Sequence, residues 1–470
     1  MSSTATGKQG PATATAAAHP DPAFPRLHPR PAQGWINDPN GVTYLNGRYH
    51  VFFQYNPDSA RHHRICWGHV SSADLLNWEE HPVALRPQDG GPDDFGCWTG
   101  VVTDDDGVPT AAYSGVRSGE GASQVVIARG SADLVEWTQD GHVAVSMPED
   151  PQVTAVRDPF LFRFEGRRYA IQGAGLADGR AALLLYRVDS MDCWEYQGIW
   201  LTTDNAAGAG HDVNRAEIWE CPQLVRIPDG DGGTAWLAMF SLWQKDDDHE
   251  HLLGVGHLIG GMAADPETGL PVFTPRDAGK SDAGRDFYAP QITQLDDAPD
   301  GTPRALLWGW ANEGPGRDGR RGRSQDEIDA AGWAGVLTHP RVLSLSDGAL
   351  AVAPAPEIDG YRSALLAEAA VGNVALPAFA EARVSGAASF AGGEVRLVLG
   401  AVSGEQGQTV FAGSLAAGEE LRIFIDASLV EVYRSGSVAT TLRAYPAAGE
   451  EWRLELPSGA SAEVWELAGA

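Results

Sequence analysis

The sequence predicts an all-β protein: a five-bladed β-propeller followed by a C-terminal β-sandwich. Three observations predict it. A segment recurs five times, sustained helical periodicity is almost absent, and near Pro340 the pattern changes to plain alternating strands.

The recurring segment reads GRYHVFFQY from Gly47, GVPTAAYSG from Gly107, GRRYAIQGAG from Gly166, GTAWLAMFS from Gly233 and TPRALLWGWA from Thr302. Each copy opens on a turn and runs into an apolar or aromatic strand. The starts lie roughly 60 to 70 residues apart, at or above the upper end of blade periods. The match extends outward. Asp38-Pro39 lies nine residues before Gly47, and Asp158-Pro159 eight before Gly166. SSADLLNWEE (71–80) is echoed by GSADLVEWTQ (130–139), and more faintly between Asp189 and Trp194. Five such units suit a propeller, because radial repetition leaves only short, protected edges. The competing reading is a β-sandwich or mixed α/β chain with accidental similarity.

The expected organisation is a disordered leader over 1–26, a propeller carrying the catalytic site over 27–345, a Pro- and Ala-rich linker over 346–370 and a sandwich over 371–470. The last part holds period-2 strands such as EVRLVLGAV (394–402) and LRIFIDASLVEVYRS (421–435). It shows no catalytic constellation; Asp426 and Glu431 are expected to be solvent-facing or interdomain.

Composition excludes some functions. The formal charge is -29 and the pI about 4.7. So acidic a chain argues against nucleic acid or an anionic membrane as partner and fits a neutral substrate or a cation. Cys66, Cys97, Cys193 and Cys221 are scattered with no CxxC, which argues for reduced thiols and a cytoplasmic location. Residues 1–26 lack the apolar core of a signal peptide, and no apolar run is long enough to span a membrane. Fifteen Trp suit sugar stacking but equally suit a core.

In a propeller the first strand of each blade lines the central channel. The repeat places those strands near 37–44, 97–103, 157–164, 219–227 and 287–293. Three begin with an acid: Asp38, Asp158 and Glu220. Asp38 alone fits a turn, since it lies in GWINDPNG (34–41), which is rich in turn residues. Acids recurring at matching positions do not. Facing carboxylates suit glycoside hydrolysis, in which one protonates the leaving oxygen and the other stays ionised. Arg157 is expected to keep neighbouring carboxylates charged, and Cys221 to help raise the Glu220 pKa by desolvation. A metal site is the rival, through His62-His63 and the Asp/His/Glu run at 246–251. That run has no matched second cluster, and charge runs are usually solvated loops, so no metal is expected.

These residues also carry a resemblance. WINDPNG (35–41) resembles the WMNDPNG signature of the β-fructofuranosidases, the invertases, inulinases and levanases of glycoside hydrolase family 32. FFQYNP (52–57), WTG (98–100), RDP (157–159), WECPQL (219–224), DFYAPQ (286–291), GWAN (309–312) and IFIDASLVEVY (423–433) follow the family's order. The resemblance implies a five-bladed propeller with a β-sandwich. It implies Asp38 as nucleophile, Glu220 as acid/base and Asp158 as the residue that binds fructosyl hydroxyls and stabilises the transition state. It further implies Asn37, Gln54 and Arg157 as polar contacts to the sugar, with Trp98, Thr99, Tyr288 and Trp310 as the pocket wall. For the aromatic residues, plain core packing is the alternative.

The implied reaction is retaining release of terminal β-D-fructosyl units from sucrose or short fructo-oligosaccharides, without a cofactor. Alternatives are a fructosyltransferase or exo-fructanase of the same fold, and a non-catalytic sugar-binding propeller. Two departures stand out. Arg61-His62-His63-Arg64 occupies a stretch where relatives carry a Trp near the leaving group, so hydrogen bonds replace a stacking face there. His339 stands where an apolar residue is common.

Overall fold

A computed structural model describes residues 19–118, 123–230, 232–245, 253–313, 322–387, 389–401 and 407–469. Strands dominate it, and they form seven sheets.

Five antiparallel sheets follow one another in the chain. The first holds Gly34–Leu45, Arg48–Asn56, Cys66–Ser72 and Glu79–Leu85. The second holds Gly96–Asp105, Val108–Val116, Ser123–Gly130 and Trp137–Val145. The third holds Val153–Phe164, Arg167–Leu176, Ala181–Ser190 and Cys193–Thr202. The fourth holds Ile218–Asp229, Gly233–Trp243, Val255–Ala264 and Pro271–Lys280. The fifth holds Phe287–Leu295, Arg304–Ala311, Arg341–Ser346 and Ala349–Pro354.

The turn chemistry of the repeat explains its hairpins. Asn46-Gly47, Asp106-Gly107 and Glu165-Gly166 all have positive φ. A two-residue type I′ turn demands that at both positions. The Ser-Ala-Asp-Leu…Trp feature is a second repeated turn. Asp74 accepts from the backbone N–H of Leu76 and Asn77, while Leu75 and Leu134 are buried at positive φ. Trp137 and Trp194 each close their turn by donating Nε1–H to a carbonyl three residues back.

The first strand of each sheet packs on the next in cyclic order. Gly34–Leu45 touches Gly96–Asp105, which touches Val153–Phe164, then Ile218–Asp229, then Phe287–Leu295, and the last returns to the first. The segment after the fifth sheet's second strand also ties first to last. Val336–Leu337 pairs with the fifth sheet, and Trp333–Ala334 adds to the first sheet as a parallel edge strand.

The remaining strands make a six-stranded and a four-stranded sheet. Alternation buries Leu421, Ile423 and Ile425 from one sheet and Val395, Leu397 and Leu399 from the other in a single apolar cluster. Asp426 and Glu431 are not solvent-facing; both side chains are buried. Asp426 accepts from the backbone N–H of Arg26, Leu27 and His28, and Arg341 donates to Glu431, Asp282 and Tyr433. These hydrogen bonds and ion pairs join the N-terminal segment, the five-sheet part and the C-terminal sheets. His339 stacks on His28 at 3.7 Å between ring centroids and donates its backbone N–H to Glu431.

Two expectations change. Residues 1–18 of the expected leader lie outside the described residues, but 19–26 are packed. Ala23 and Phe24 are buried against Trp333 and Tyr445, and Asp21 accepts from the Trp333 indole. The stretch 346–370 carries strands of both neighbouring parts. Ala349–Pro354 completes the fifth sheet and Arg362–Ala370 pairs in the six-stranded one, leaving a short 3-10 turn, Pro356–Tyr361, between them. Proline and alanine there suit edge strands as well as they suit a linker.

Among the described residues no helix is long and apolar enough to cross a membrane. Cys66, Cys97, Cys193 and Cys221 form no disulfide.

Candidate active site

The first strand of each of the five sheets breaks its ladder at a corresponding place. Pairing skips between Ile36 and Pro39, Cys97 and Gly100, Glu220 and Gln223, and Tyr288 and Gln291. In the third sheet it skips between Arg157 and Phe160. A bulge re-aims side chains and increases local twist. Proline follows in four of the five, as Asp38-Pro39, Asp158-Pro159, Cys221-Pro222 and Ala289-Pro290. Proline donates no ladder hydrogen bond, so it is at home at such an interruption.

By that proline, the fourth-sheet residue equivalent to Asp38 and Asp158 is Cys221. Glu220 stands one position earlier. The sequence reading, which placed all three acids at one repeat position, is therefore off by one residue at Glu220.

Asp158 and Cys221 have φ of 60° and 48°. That left-handed conformation is strained for non-glycine residues and persists only when neighbours hold it. Both have such neighbours. The Asp158 backbone N–H donates to Ser114 Oγ at 2.7 Å, and the Cys221 backbone N–H donates to Asp158 Oδ2 at 2.8 Å. Ahead of Glu220, Trp219 is fully buried, stacks on Phe240 at 4.4 Å and donates its indole N–H to Val213 O. Burying such a ring contributes about 4–6 kcal/mol before entropy, from ~150–250 Å² of area. Gly173 allows the close approach behind it: a Cβ there would lie 1.9 Å from Trp219 O.

The bulges gather the expected residues. Asp38 Oδ2 accepts from Gln54 Nε2 at 3.0 Å, Thr99 Oγ1 at 2.5 Å and the Cys221 thiol at 3.4 Å. Asp38 Oδ1 accepts from Asn37 Nδ2 at 3.0 Å. Asn37 also donates to Gln54 Oε1 and accepts from the Trp35 indole, which fixes which way each amide faces. Glu220 Oε2 accepts from the Tyr288 hydroxyl at 2.9 Å, and Glu220 Oε1 lies 3.4 Å from Arg157 Nε. The Arg157 guanidinium also sits over the Trp243 ring at 5.6 Å.

Electrostatics separate the acids. Asp158 is buried, and its pKa is pushed up to about 8 by that burial first and by the Glu220 carboxylate second, with Arg157 opposing. Burial, followed by the charges of Asp38 and Asp158, also holds the Cys221 thiol well above its ordinary range. It stays protonated and donates to Asp38 and to Asp158, the latter at 3.6 Å. The thiol thus faces the other two acids, whereas the sequence reading tied it to Glu220.

The aromatic residues divide. Tyr288 and Trp310 are buried in one cluster with Cys221 and Ala289, so packing is part of their role. Trp98 is half-buried and faces His62 edge-on at 6.0 Å; Trp35 faces the same His62 at 6.1 Å. His62 therefore sits against two indoles. Arg61 pairs with Asp329 and Arg64 with Asp89. The 246–251 run, the other metal candidate, lies outside the described residues.

Sequence reasoning missed Ser114, Trp243 and Trp35 as supports. Ser114 was within reach, since it is the penultimate residue of the repeat copy GVPTAAYSG, and Ser241 at the end of GTAWLAMFS likewise accepts from Ala289 N–H.

The chain is similar to known proteins in sequence and in fold. The model of the glycosyl hydrolases family 32 N-terminal domain matches residues 28–354. A sucrose-6-phosphate hydrolase of Zymomonas mobilis is 31% identical over 363 residues, covering 74% of this chain and 65% of the relative. A raffinose invertase of Escherichia coli is 33% identical over 349 residues, covering 72% and 66%. The chain thus spans about 65% of the length of these curated relatives. In fold it is similar to a GH32 beta-fructofuranosidase of Bombyx mori, with TM-score 0.76, 24% identity and coverage of 95% and 94%. A fructan 1-exohydrolase IIa of Cichorium intybus has TM-score 0.76, 20% identity and coverage of 96% and 98%.

Proposed function

We propose that this chain, which belongs to glycosyl hydrolases family 32, releases terminal β-D-fructosyl units from sucrose or short fructo-oligosaccharides with retention of configuration. The observation that carries this is one cluster of side chains in which Asp38 is held by four donors while Glu220, from another sheet, is held by Tyr288 and Arg157.

The chemistry follows from those environments. Four hydrogen bonds hold the Asp38 side chain in place, and it attacks the anomeric carbon. Glu220 protonates the departing alcohol oxygen, leaving a fructosyl ester on Asp38. Glu220 then takes a proton from water as that water attacks the ester carbon, and fructose leaves with its original configuration. Retention requires the Asp38 and Glu220 carboxyl groups to stand about 5–5.5 Å apart. Asp158, between the Ser114 and Cys221 supports, binds fructosyl hydroxyls and stabilises the transition state. Asn37, Gln54, Trp98, Thr99, Arg157, Tyr288 and Trp310 complete the fructose pocket.

The reading includes the architecture. The five sheets are blades of a propeller, supported by the cyclic contacts of their first strands, and the last two sheets form a β-sandwich. The free cysteines support a reducing compartment. The activities for which the relatives are named, on sucrose-6-phosphate and raffinose, support a fructoside of small size.

The test is a substrate panel of sucrose, raffinose, kestose, inulin and levan, run on the native protein and on Asp38→Asn and Glu220→Gln. Fructose should be released from the small substrates, and both variants should lose most activity while keeping the fold. Near-native turnover in either variant would overturn the assignment.

A further inference from the structure

We infer that Trp243 is a positioning residue for the acid/base: its ring holds the Arg157 guanidinium against Glu220, and through that contact it sets the pH range over which Glu220 can protonate the leaving alcohol. The role rests on Glu220 being the acid/base proposed above.

The strand register puts the two side chains together. In the fourth sheet Glu220 pairs with Ser241 and Ile218 with Trp243. Trp243 therefore stands diagonally across from Glu220, on the same face of the sheet. Diagonal neighbours of this kind lie about 7–8 Å apart, which leaves room between them for the end of a third side chain. Arg157 supplies it from the adjacent third sheet. Its guanidinium sits over the half-buried indole, 5.6 Å from the ring centroid, within the ~6 Å reach of a cation–π contact. Its Nε then lies 3.4 Å from Glu220 Oε1.

The two groups that flank Glu220 are held differently. Tyr288 is packed in a buried cluster with Cys221, Ala289 and Trp310, and its hydroxyl donates to Glu220 at 2.9 Å. Arg157 Nε is buried and has no hydrogen-bond partner among the described residues, so it meets Glu220 as an ion pair without an aligned bond. A planar guanidinium stacks on an aromatic face, and that face is what sets where this one stands. Its charge matters because the groups around it are acids. Asp158, Cys221 and Tyr288 all feel the Glu220 charge, and Asp38 lies beside Cys221 and Asp158. Arg157 brings positive charge to that cluster and opposes the upward push on Asp158. A cation beside a carboxyl group favours its charged form. With the guanidinium moved away, the acid keeps its proton to higher pH.

The test uses Trp243→Leu, which keeps apolar bulk without a π face, and Trp243→Phe, which keeps a smaller face. Each is made in the native chain and in an Arg157→Ala chain. Crystal structures locate the guanidinium, and kcat/KM on sucrose is followed across pH. Trp243→Leu should release the guanidinium from Glu220 and lower kcat/KM roughly 5- to 30-fold, the worth of a partly desolvated cation–π contact. The basic limb of the profile should move upward by about 1 in pH. Trp243→Phe should fall between Leu and native. In the Arg157→Ala chain, Trp243→Leu should change kcat/KM less than twofold, because the group it acts through is gone. Melting curves identify the folded variants; should Trp243→Leu not fold, Trp243→Phe in the two chains decides. Loss by the same factor in both chains contradicts the role, as does a basic limb that stays in place while the guanidinium moves. A native protein that releases no fructose overturns the proposed function and this role together, whereas an active native protein with equal losses in both chains overturns this role alone.

Discussion

The backbone N–H of Cys221 reaches Asp158 Oδ2 across 2.8 Å, linking the residue next to Glu220 with the most deeply buried of the three acids. The Cys221 thiol touches the same oxygen and also Asp38. One residue therefore connects all three carboxylates. Cys221→Ala keeps the backbone bond and removes the thiol donors. The loss of weak hydrogen bonds of about 0.5–1.5 kcal/mol should lower kcat/KM roughly 2- to 10-fold. Cys221→Ser should restore part of it. Equal activity in Ala and Ser variants would show that the thiol only fills space.

Asp158 is held in a state that opposes folding at neutral pH. Its folded pKa is raised, so folding is favoured below the unfolded value near ~4 and loses stability as pH rises through about 8. Asp158→Asn removes that dependence. The variant should lose activity by ~100-fold or more, yet melt higher than the native protein at pH 7, with a flatter stability profile between ~4 and ~8. Melting curves across that range check it; an unchanged slope would mean that another group dominates.

Tyr288 donates to Glu220 from a buried position. Tyr288→Phe keeps the ring packing and removes the hydroxyl. A charge-assisted bond of about 1.5–3 kcal/mol predicts a roughly 10- to 100-fold fall in kcat/KM with little change in melting temperature. A large drop in melting temperature instead would assign the hydroxyl to the core.

His28 lies between two acceptor-only groups, with Nδ1 2.6 Å from Asp426 and Nε2 2.8 Å from Glu431. Only a protonated ring donates to both. Burial opposes the charge, but the hydrogen bonds to Asp426 and Glu431 outweigh it and raise the pKa. The resulting stability is fully present below the unfolded value near ~6.5 and is lost as pH rises through the higher folded value. His28→Gln should destabilise the protein by about 3–5 kcal/mol at pH 6, since it leaves buried carboxylates short of a cation. The gap to the native protein should narrow as pH rises. Denaturant melts at several pH values measure it.

Gly173→Ala places a methyl against Trp219 O. Relief requires the Glu220 strand to move, so the cost of overpacking, about 1–3 kcal/mol, should come with reduced kcat. Unchanged kinetics would show that the strand adjusts without displacing Glu220.

Much of this was legible in the chain. The Gly-led repeat gave the five sheets because type I′ turns leave a residue signature. Asp38 and Asp158 were visible because a following proline marks each bulge. The offset of Glu220 was equally open to view, since Cys221-Pro222 carries the same mark, but the acid one residue earlier was matched in its place. Asp426 and Glu431 read as solvent-facing or interdomain with no partner named, because the partners are remote: His28 and Arg341 lie about 400 and 90 residues away. Strand membership within 346–370 was hidden for the same reason, since Arg362–Ala370 pairs with the last strand of the chain.

The central claim is a double displacement at Asp38. The direct measurement is the configuration of fructose first released from sucrose, followed by NMR before mutarotation. The β-anomer should appear first. If the α-anomer appears first, one inverting step is at work and Asp38 is not the nucleophile.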